Sequence, residues 1–238
     1  MCIRDSPLIG NYGINPQDVQ SSKIHCEAFL LSENSNIASN YRSSSELADY
    51  LKANNVPALT GLDTRAITKH LRLRGSMKGI ISTRSFDKAK LLAMVKKWPG
   101  ITGKDLVKTV SRGSAETYCP KGKLKFVVID CGVKNGILEE LKKRGCEVIV
   151  APSSYNSSRI LALKPHAVLI SNGPGDPSAL HSIIKTASGL IDKLPLFGIC
   201  LGHQIMGLAF GAKTYKLKFG HHGANHPVKN LDNGKVFI

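Results

Sequence analysis

The chain has 238 residues, 42% hydrophobic and 21% charged, which suits a soluble globular protein with room for two modest cores. No apolar run is long enough to span a bilayer, so a membrane role is not expected. The formal net charge of +16 raises nucleic-acid binding, but the charge is spread evenly, with 18 Lys/Arg against 10 Asp/Glu in residues 1–122 and 15 against 7 in residues 123–238. There is no basic tail, RNP-type aromatic signature or zinc-finger spacing, and no nucleic-acid partner is expected. A Lys-rich proteome, solvated faces or an acidic partner surface accounts for the charge.

Six cysteines (Cys2, Cys26, Cys119, Cys131, Cys146 and Cys200) form no CxxC pair and no regular framework, pointing to a reducing compartment and a cytoplasmic location. Met1 to Ser6 lack the apolar core of a signal peptide and look foreign to the rest of the chain, so they are set aside as a vector or gene-boundary scar.

From Pro7 the chain shows short β-like pieces, Ile24 to Leu31 among them, between turn-rich segments. Ser43-x-x-Glu46 predicts a capping box for a helix with Leu47, Tyr50 and Leu51 inward. A short strand is expected over Ala58 to Leu62. Asp63 then caps a helix with Ile67 and Leu71 inward and Gly75 at its stop. Met77 to Ser82 reads as a further strand, and Asp87 to Trp98 as a Lys-rich amphipathic helix ended by Pro99-Gly100. Every feature of this half has an adequate structural explanation.

Ser111 to Gly122 has turn composition and no hydrophobic period, which predicts a linker over 111–122 between an N-terminal domain (7–110) and a C-terminal one (123–238). Beyond it, strand and helix alternate: strand 124–130, helix 136–144, strand 147–151, helix 157–163, strand 167–171, helix 180–192, strand 194–200. That alternation predicts a doubly wound α/β domain with its ligand site at the carboxyl ends of the strands, preceded by a smaller mixed α/β domain. Three such ends carry unusual residues: Asp130-Cys-Gly132, Asn172-Gly-Pro-Gly-Asp-Pro177, and Gly198-Ile-Cys200-Leu-Gly202.

The third is the thiol counterpart of a nucleophile elbow, a strained strand-to-helix turn that lifts its central residue above the sheet edge. A thiol there faces the positive end of a helix dipole and its unpaired N–H groups. The backbone N–H of Leu201 points where an oxyanion would form. Taken alone, G-x-C-x-G also suits a buried structural cysteine. Asn172 to Pro177 suits an ordinary tight turn, although Gly173 and Gly175 could offer backbone N–H groups to an anion or carbonyl. No P-loop occurs. His221, His222 and His226 lack thiol or carboxylate companions at ligand spacing, so no metal site is expected. His203, three residues past the thiol on the helix, would tend to leave the pocket along the helix face and is not taken as the base.

The chain after Ser6 resembles the small, glutamine-hydrolysing subunit of carbamoyl-phosphate synthetase. The resemblance rests on Pro7-Leu-Ile-Gly-Asn-Tyr-Gly13, Ile37-Ala-Ser-Asn40, Leu62-Asp-Thr-Arg65 with Leu71-Arg72, and Ser171-Asn-Gly-Pro-Gly-Asp-Pro177. It rests also on Phe197-Gly-Ile-Cys-Leu-Gly-His-Gln204 and Lys218 to Pro227. G-x-C-x-G-x-Q is shared by class I, triad-type glutamine amidotransferases in general; the N-terminal half and Phe219 to Pro227 are more specific.

By this resemblance Cys200 is the nucleophile that attacks the glutamine side-chain amide. Gly173 and Leu201 correspond to oxyanion-hole donors, and Gly175 and Gln204 to glutamine-binding positions. The resemblance implies ammonia passing to a large subunit that makes carbamoyl phosphate from bicarbonate and ATP, for arginine and pyrimidine synthesis. No cofactor is expected in this chain, since ATP and Mg belong to the large subunit. It also places a glutamine-contacting Ser before Pro7, and an Asn-His-Gly-Phe segment and the His-x-Glu of a Cys-His-Glu triad after Ile238. The 238 residues are therefore expected to be a fragment that is inactive by itself. The alternatives are a module that only docks on the large subunit, and another class I amidotransferase, of anthranilate or GMP synthesis.

Overall fold

The computed structural model describes residues 8–218, 220 and 227–238. They fall into two units, each discontinuous in sequence. The unit that carries the candidate site comprises residues 15–24 and 99–214; the other comprises 1–14, 25–98 and 215–238.

The second of these is built from two-residue strands and three helices. β1 (Leu8–Ile9) pairs parallel with β3 (Glu33–Asn34), and β2 (Phe29–Leu30) parallel with β4 (Ala58–Leu59). α1 (Leu47–Ala53) starts at Glu46 with no side-chain cap, because the Ser43 hydroxyl donates to the Ser45 carbonyl instead; the capping box does not form. α2 (Thr64–Arg74) is capped by Asp63, whose carboxylate accepts the Ala66 N–H at 2.8 Å, and it stops at Gly75 with φ +94°. α3 (Lys88–Lys97) is capped by Asp87. Met77 to Ser82 is irregular rather than a strand. Near the end of the chain, β10 (Val228–Lys229) and β11 (Val236–Phe237) form an antiparallel pair.

The other unit is a five-stranded sheet in the order β5-β7-β6-β8-β9. β6 (Leu124–Asp130), β7 (Cys146–Pro152), β8 (Ala167–Ile170) and β9 (Leu196–Gly198) run parallel, and β5 (Glu116–Cys119) pairs antiparallel at the edge beside β7. The helices are α4 (Asn135–Lys143), α5 (Ser157–Ala162), α6 (His181–Ser188) and α7 (Leu201–Ala209). Both faces of the sheet are covered, the arrangement that parallel strands require. Val127, Ile129, Val168 and Ile170 pack with Ile160, Ile183 and Ile205 on one face, whereas Val128, Val148, Val150 and Leu169 pack with Leu138 of α4 on the other. Each fully buried Leu or Ile in these layers contributes roughly 1.5–3 kcal/mol through loss of apolar surface to water.

Three further features differ from the sequence reading. The segment read as a linker, 111–122, contains β5, which Tyr118 also fastens to α4 by donating to Glu139. And the N-terminal residues 15–24 belong with the α/β sheet: the Gln20 carbonyl accepts from the Asn135 N–H at 3.0 Å and the Gln20 side chain from the Gly136 N–H at 2.8 Å, at the start of α4. Residues 215–218, placed by sequence in the C-terminal domain, fold instead with α2, where the Ser76 N–H donates to the Lys218 carbonyl. Among the described residues no helix is long and apolar enough to cross a membrane.

Candidate active site

The strand order places the carboxyl ends of β6, β8 and β9 side by side. From β6 the chain moves to β7 on one side, and from β8 to β9 on the other, so the loops diverge between β6 and β8. Such a switch point is where an open α/β sheet leaves a crevice for a ligand.

β9 leads into α7 through Ile199 and Cys200. Cys200 has φ +54° and ψ −109°, a left-handed conformation that costs about 1–3 kcal/mol for a residue with a side chain. The turn is forced by how closely strand and helix approach: a Cβ on Gly198 would lie 2.5 Å from the Gly202 carbonyl carbon, and one on Gly202 would lie 2.0 Å from the Ile170 oxygen. Glycine at both positions lets α7 start directly on top of β8 and β9. Cys200 is left exposed, while Leu201 and Ile205 anchor the helix in the core.

Around this thiol the backbone presents donors. The Gly202 N–H bonds the Ile199 carbonyl at 3.0 Å and the Gln204 N–H the Cys200 carbonyl at 3.2 Å. The Leu201 and Gly173 N–H groups have no hydrogen-bond partner among the described residues. Gly173, just past β8, abuts both neighbouring loops; a Cβ there would meet the Cys131 oxygen at 2.1 Å and Leu201 Cδ2 at 2.8 Å. The structure thus brings Cys200, Leu201 and Gly173 to one place. Gly175 (φ +100°) sits against Lys104 and Leu106, and Gln204 is exposed one turn along α7. His203 is also exposed, and no side chain among the described residues hydrogen-bonds the Cys200 thiol. His221, His222 and His226 lie outside the described residues, as does most of Phe219 to Pro227. Among the described residues no group of three His, Cys, Asp or Glu side chains could hold a metal ion.

The other cysteines among the described residues occupy different environments. Cys131, at the end of β6, is buried, and burial, aided by the charges of Asp130 and Asp105, pushes its thiol up to about 12. Cys146 is buried in the layer beneath α4, and Cys26 and Cys119 are half-buried. A thiol reacts as its thiolate and only where a reagent can reach it. Limiting iodoacetamide, read by peptide mass spectrometry, should therefore modify Cys200 first and Cys131 only after unfolding. Earlier modification of Cys26 or Cys119 would contradict the placement of Cys200 at an open elbow.

Known proteins share much of this sequence. The family model for class-I glutamine amidotransferases matches residues 127–238, and that for the carbamoyl-phosphate synthase small chain, CPSase domain, matches residues 1–81. The carbamoyl phosphate synthase small chain of Thermotoga maritima is 47% identical over 233 residues, covering 98% of this chain and 59% of that protein. The chain belongs to the carbamoyl-phosphate synthase small-chain family. Its small-chain relative in Chlorobaculum tepidum is 47% identical over 242 residues, covering 100% of this chain and 66% of that protein, and the one in Bacillus caldolyticus is 46% identical over 236 residues, covering 98% and 63%. The chain spans about three fifths to two thirds of the length of these small-chain relatives. The small-chain match begins at residue 1 and so extends through Met1 to Ser6, which composition had set aside.

Sequence reasoning missed two side chains that shape this small-chain site. Asp130 and Asn172 lie within strand ends marked as unusual, but neither carried a role. Asp130 is buried with its carboxylate accepting three backbone N–H groups, and Asn172 reaches from the β8 loop to the β6 loop.

Proposed function

We propose that this chain provides the glutamine-hydrolysing nucleophile of a carbamoyl-phosphate synthase small subunit. The observation that carries the proposal is Cys200, exposed at φ +54° beside the N–H groups of Leu201 and Gly173, which have no hydrogen-bond partner among the described residues. In this reading the Cys200 thiolate adds to the side-chain amide carbon of glutamine, and the oxygen takes the charge against the two N–H donors. Collapse of the adduct breaks the C–N bond; the nitrogen leaves as ammonia once protonated, and the glutamyl thioester on Cys200 is hydrolysed to glutamate. Gln204 and Gly175 would hold the amino-acid end of the substrate.

The proton transfers need a base and acid beside the thiol, and none is hydrogen-bonded to it among the described residues. We assign that role to the His and Glu which the family resemblance places after Ile238. The unit built on α2 and α3 would dock on the large subunit, where ATP and Mg are used. Ammonia released into water at neutral pH becomes ammonium and stops being a nucleophile, so a sealed passage between the subunits keeps it reactive. α3 offers Leu92, Met94 and the adjoining Trp98 as exposed apolar surface among its lysines.

The test is co-purification with a large subunit combined with an ammonia-release assay. The 238-residue chain is expected to co-purify but to hydrolyse glutamine more slowly, by about ten-thousandfold or more, than a subunit carrying the His and Glu, the scale of triad deletions. Co-purification with no hydrolysis at any length would favour the second reading, a docking module, which the lack of a hydrogen-bond partner for the thiol among the described residues supports. Robust turnover by the 238 residues would place the base among them.

A further inference from the structure

The crevice between β6 and β8 is spanned by side chains from both loops. Asp130, the last residue of β6 and 2% exposed, accepts the backbone N–H groups of Gly132 and Val133 at 2.9 Å and of Arg112 at 3.0 Å, with Arg112 Nε at 3.4 Å. On the β8 side, Ser171 Oγ accepts from the Cys131 N–H and donates to the Asn172 carbonyl, both at 2.9 Å. The Asn172 side chain then crosses: Nδ2 donates to the Gly132 carbonyl at 2.9 Å and Oδ1 accepts from the Lys134 N–H at 3.3 Å.

A buried carboxylate and a bridging amide are costly unless their polar atoms are matched, and here they are. The set ties residues 130–134 to residues 171–173 at the place where the sheet would otherwise be open. Gly173 is the next residue after Asn172, and its close approach to Cys131 and Leu201 leaves the loop no slack.

We propose that Asn172, supported by Asp130, is a positioning residue that aims the Gly173 N–H at the same point as the Leu201 N–H. The inference rests on the reading of Cys200 as nucleophile and of these two groups as its oxyanion donors. Neither Asn172 nor Asp130 touches the substrate; both act through the loop. A donor is effective only when fixed where charge develops, and displacement by a fraction of an ångström forfeits much of its effect. Loss of the brace should therefore impair reactions that pass through an oxyanion and spare those that do not.

Two electrophiles separate these cases on the chain as it stands. A γ-glutamyl thioester of a small thiol acylates Cys200: the Sγ adds to the carbonyl carbon, an oxyanion forms, and the small thiolate is expelled. Iodoacetamide alkylates the same Sγ by displacing iodide, without an oxyanion. Both rates are read by mass spectrometry of the Cys200 peptide. In Asn172→Ala the acylation rate should fall about tenfold while alkylation changes by less than about twofold. Asn172→Asp keeps the acceptor for the Lys134 N–H, loses the donor to Gly132, and should fall in between. Asn156→Ala removes the N-cap of α5, where the side chain accepts the Arg159 N–H; it lowers stability elsewhere in the same unit and should leave the ratio of the two rates unchanged.

An unchanged ratio in Asn172→Ala overturns the proposal. So does a parallel fall in both rates, which would make the residue structural only. If the parent chain is alkylated at Cys200 but never acylated there, the nucleophile reading itself falls, and the brace with it.

Discussion

Replacing Cys200 by Ser in a small subunit of full length, assembled with its large subunit, should lower glutamine-dependent carbamoyl phosphate formation by about ten-thousandfold or more. The substitution exchanges sulfur for oxygen at an exposed side chain, so the elbow and α7 should stay in place. What changes is the chemistry. A hydroxyl is hardly ionised at neutral pH and is a far weaker nucleophile than a thiol. The same variant should use free ammonia at an unchanged rate, because in the proposed division of labour that chemistry belongs to the large subunit. Retention of a tenth or more of the glutamine-dependent rate would remove Cys200 from the reaction.

Gly202→Ala should destabilise the site-bearing unit by about 3 kcal/mol or more, against the direction that helix propensity predicts. Alanine is favoured over glycine inside a helix by about 1 kcal/mol. Here the new Cβ would lie 2.0 Å from the Ile170 oxygen, and that oxygen also accepts the Ile199 N–H at 3.0 Å, pinning β9 to β8. A backbone carbonyl held in a sheet cannot move aside as a flexible side chain can, so strain outweighs propensity. Gly207, in the same helix, is the comparison: among the described residues a Cβ there would meet only the Ala212 methyl at 3.9 Å. Gly207→Ala should therefore stabilise by about 0.5–1 kcal/mol. Urea denaturation of the two variants should shift the midpoints in opposite directions; shifts of the same sign would contradict the close approach of α7 to β8.

These opposed effects also show what the sequence could reveal. The strands of the sheet were legible because Val127, Val128, Ile129, Val168, Leu169 and Ile170 are buried whichever face they point to, and a continuous apolar run bounded by turns reports this. The elbow was legible because the glycines at 198 and 202 are required by approach distances that hold for any strand-to-helix turn of this kind. β5 was not legible: its residues sit within turn-like composition, and its strand conformation comes from pairing with β7. Nor was the discontinuity of the units, since the bonds of Gln20 to Asn135 and Gly136 join residues more than a hundred positions apart. The Asn172 brace was hidden for a similar reason. A side-chain amide in a turn normally serves its own backbone, and only the register of β6 beside β8 brings the Gly132 carbonyl within its reach.

If Cys200 is a thiol built to receive glutamine, then glutamine should shield it from a reactive glutamine analogue. The chain is treated with a limiting diazoketone analogue of glutamine, with and without excess glutamine, and the adducts are located by peptide mass spectrometry. A single adduct is expected, on Cys200, and its formation should slow in proportion to glutamine and be indifferent to asparagine. Adducts spread over the cysteines according to their exposure, with no protection by glutamine, would contradict it.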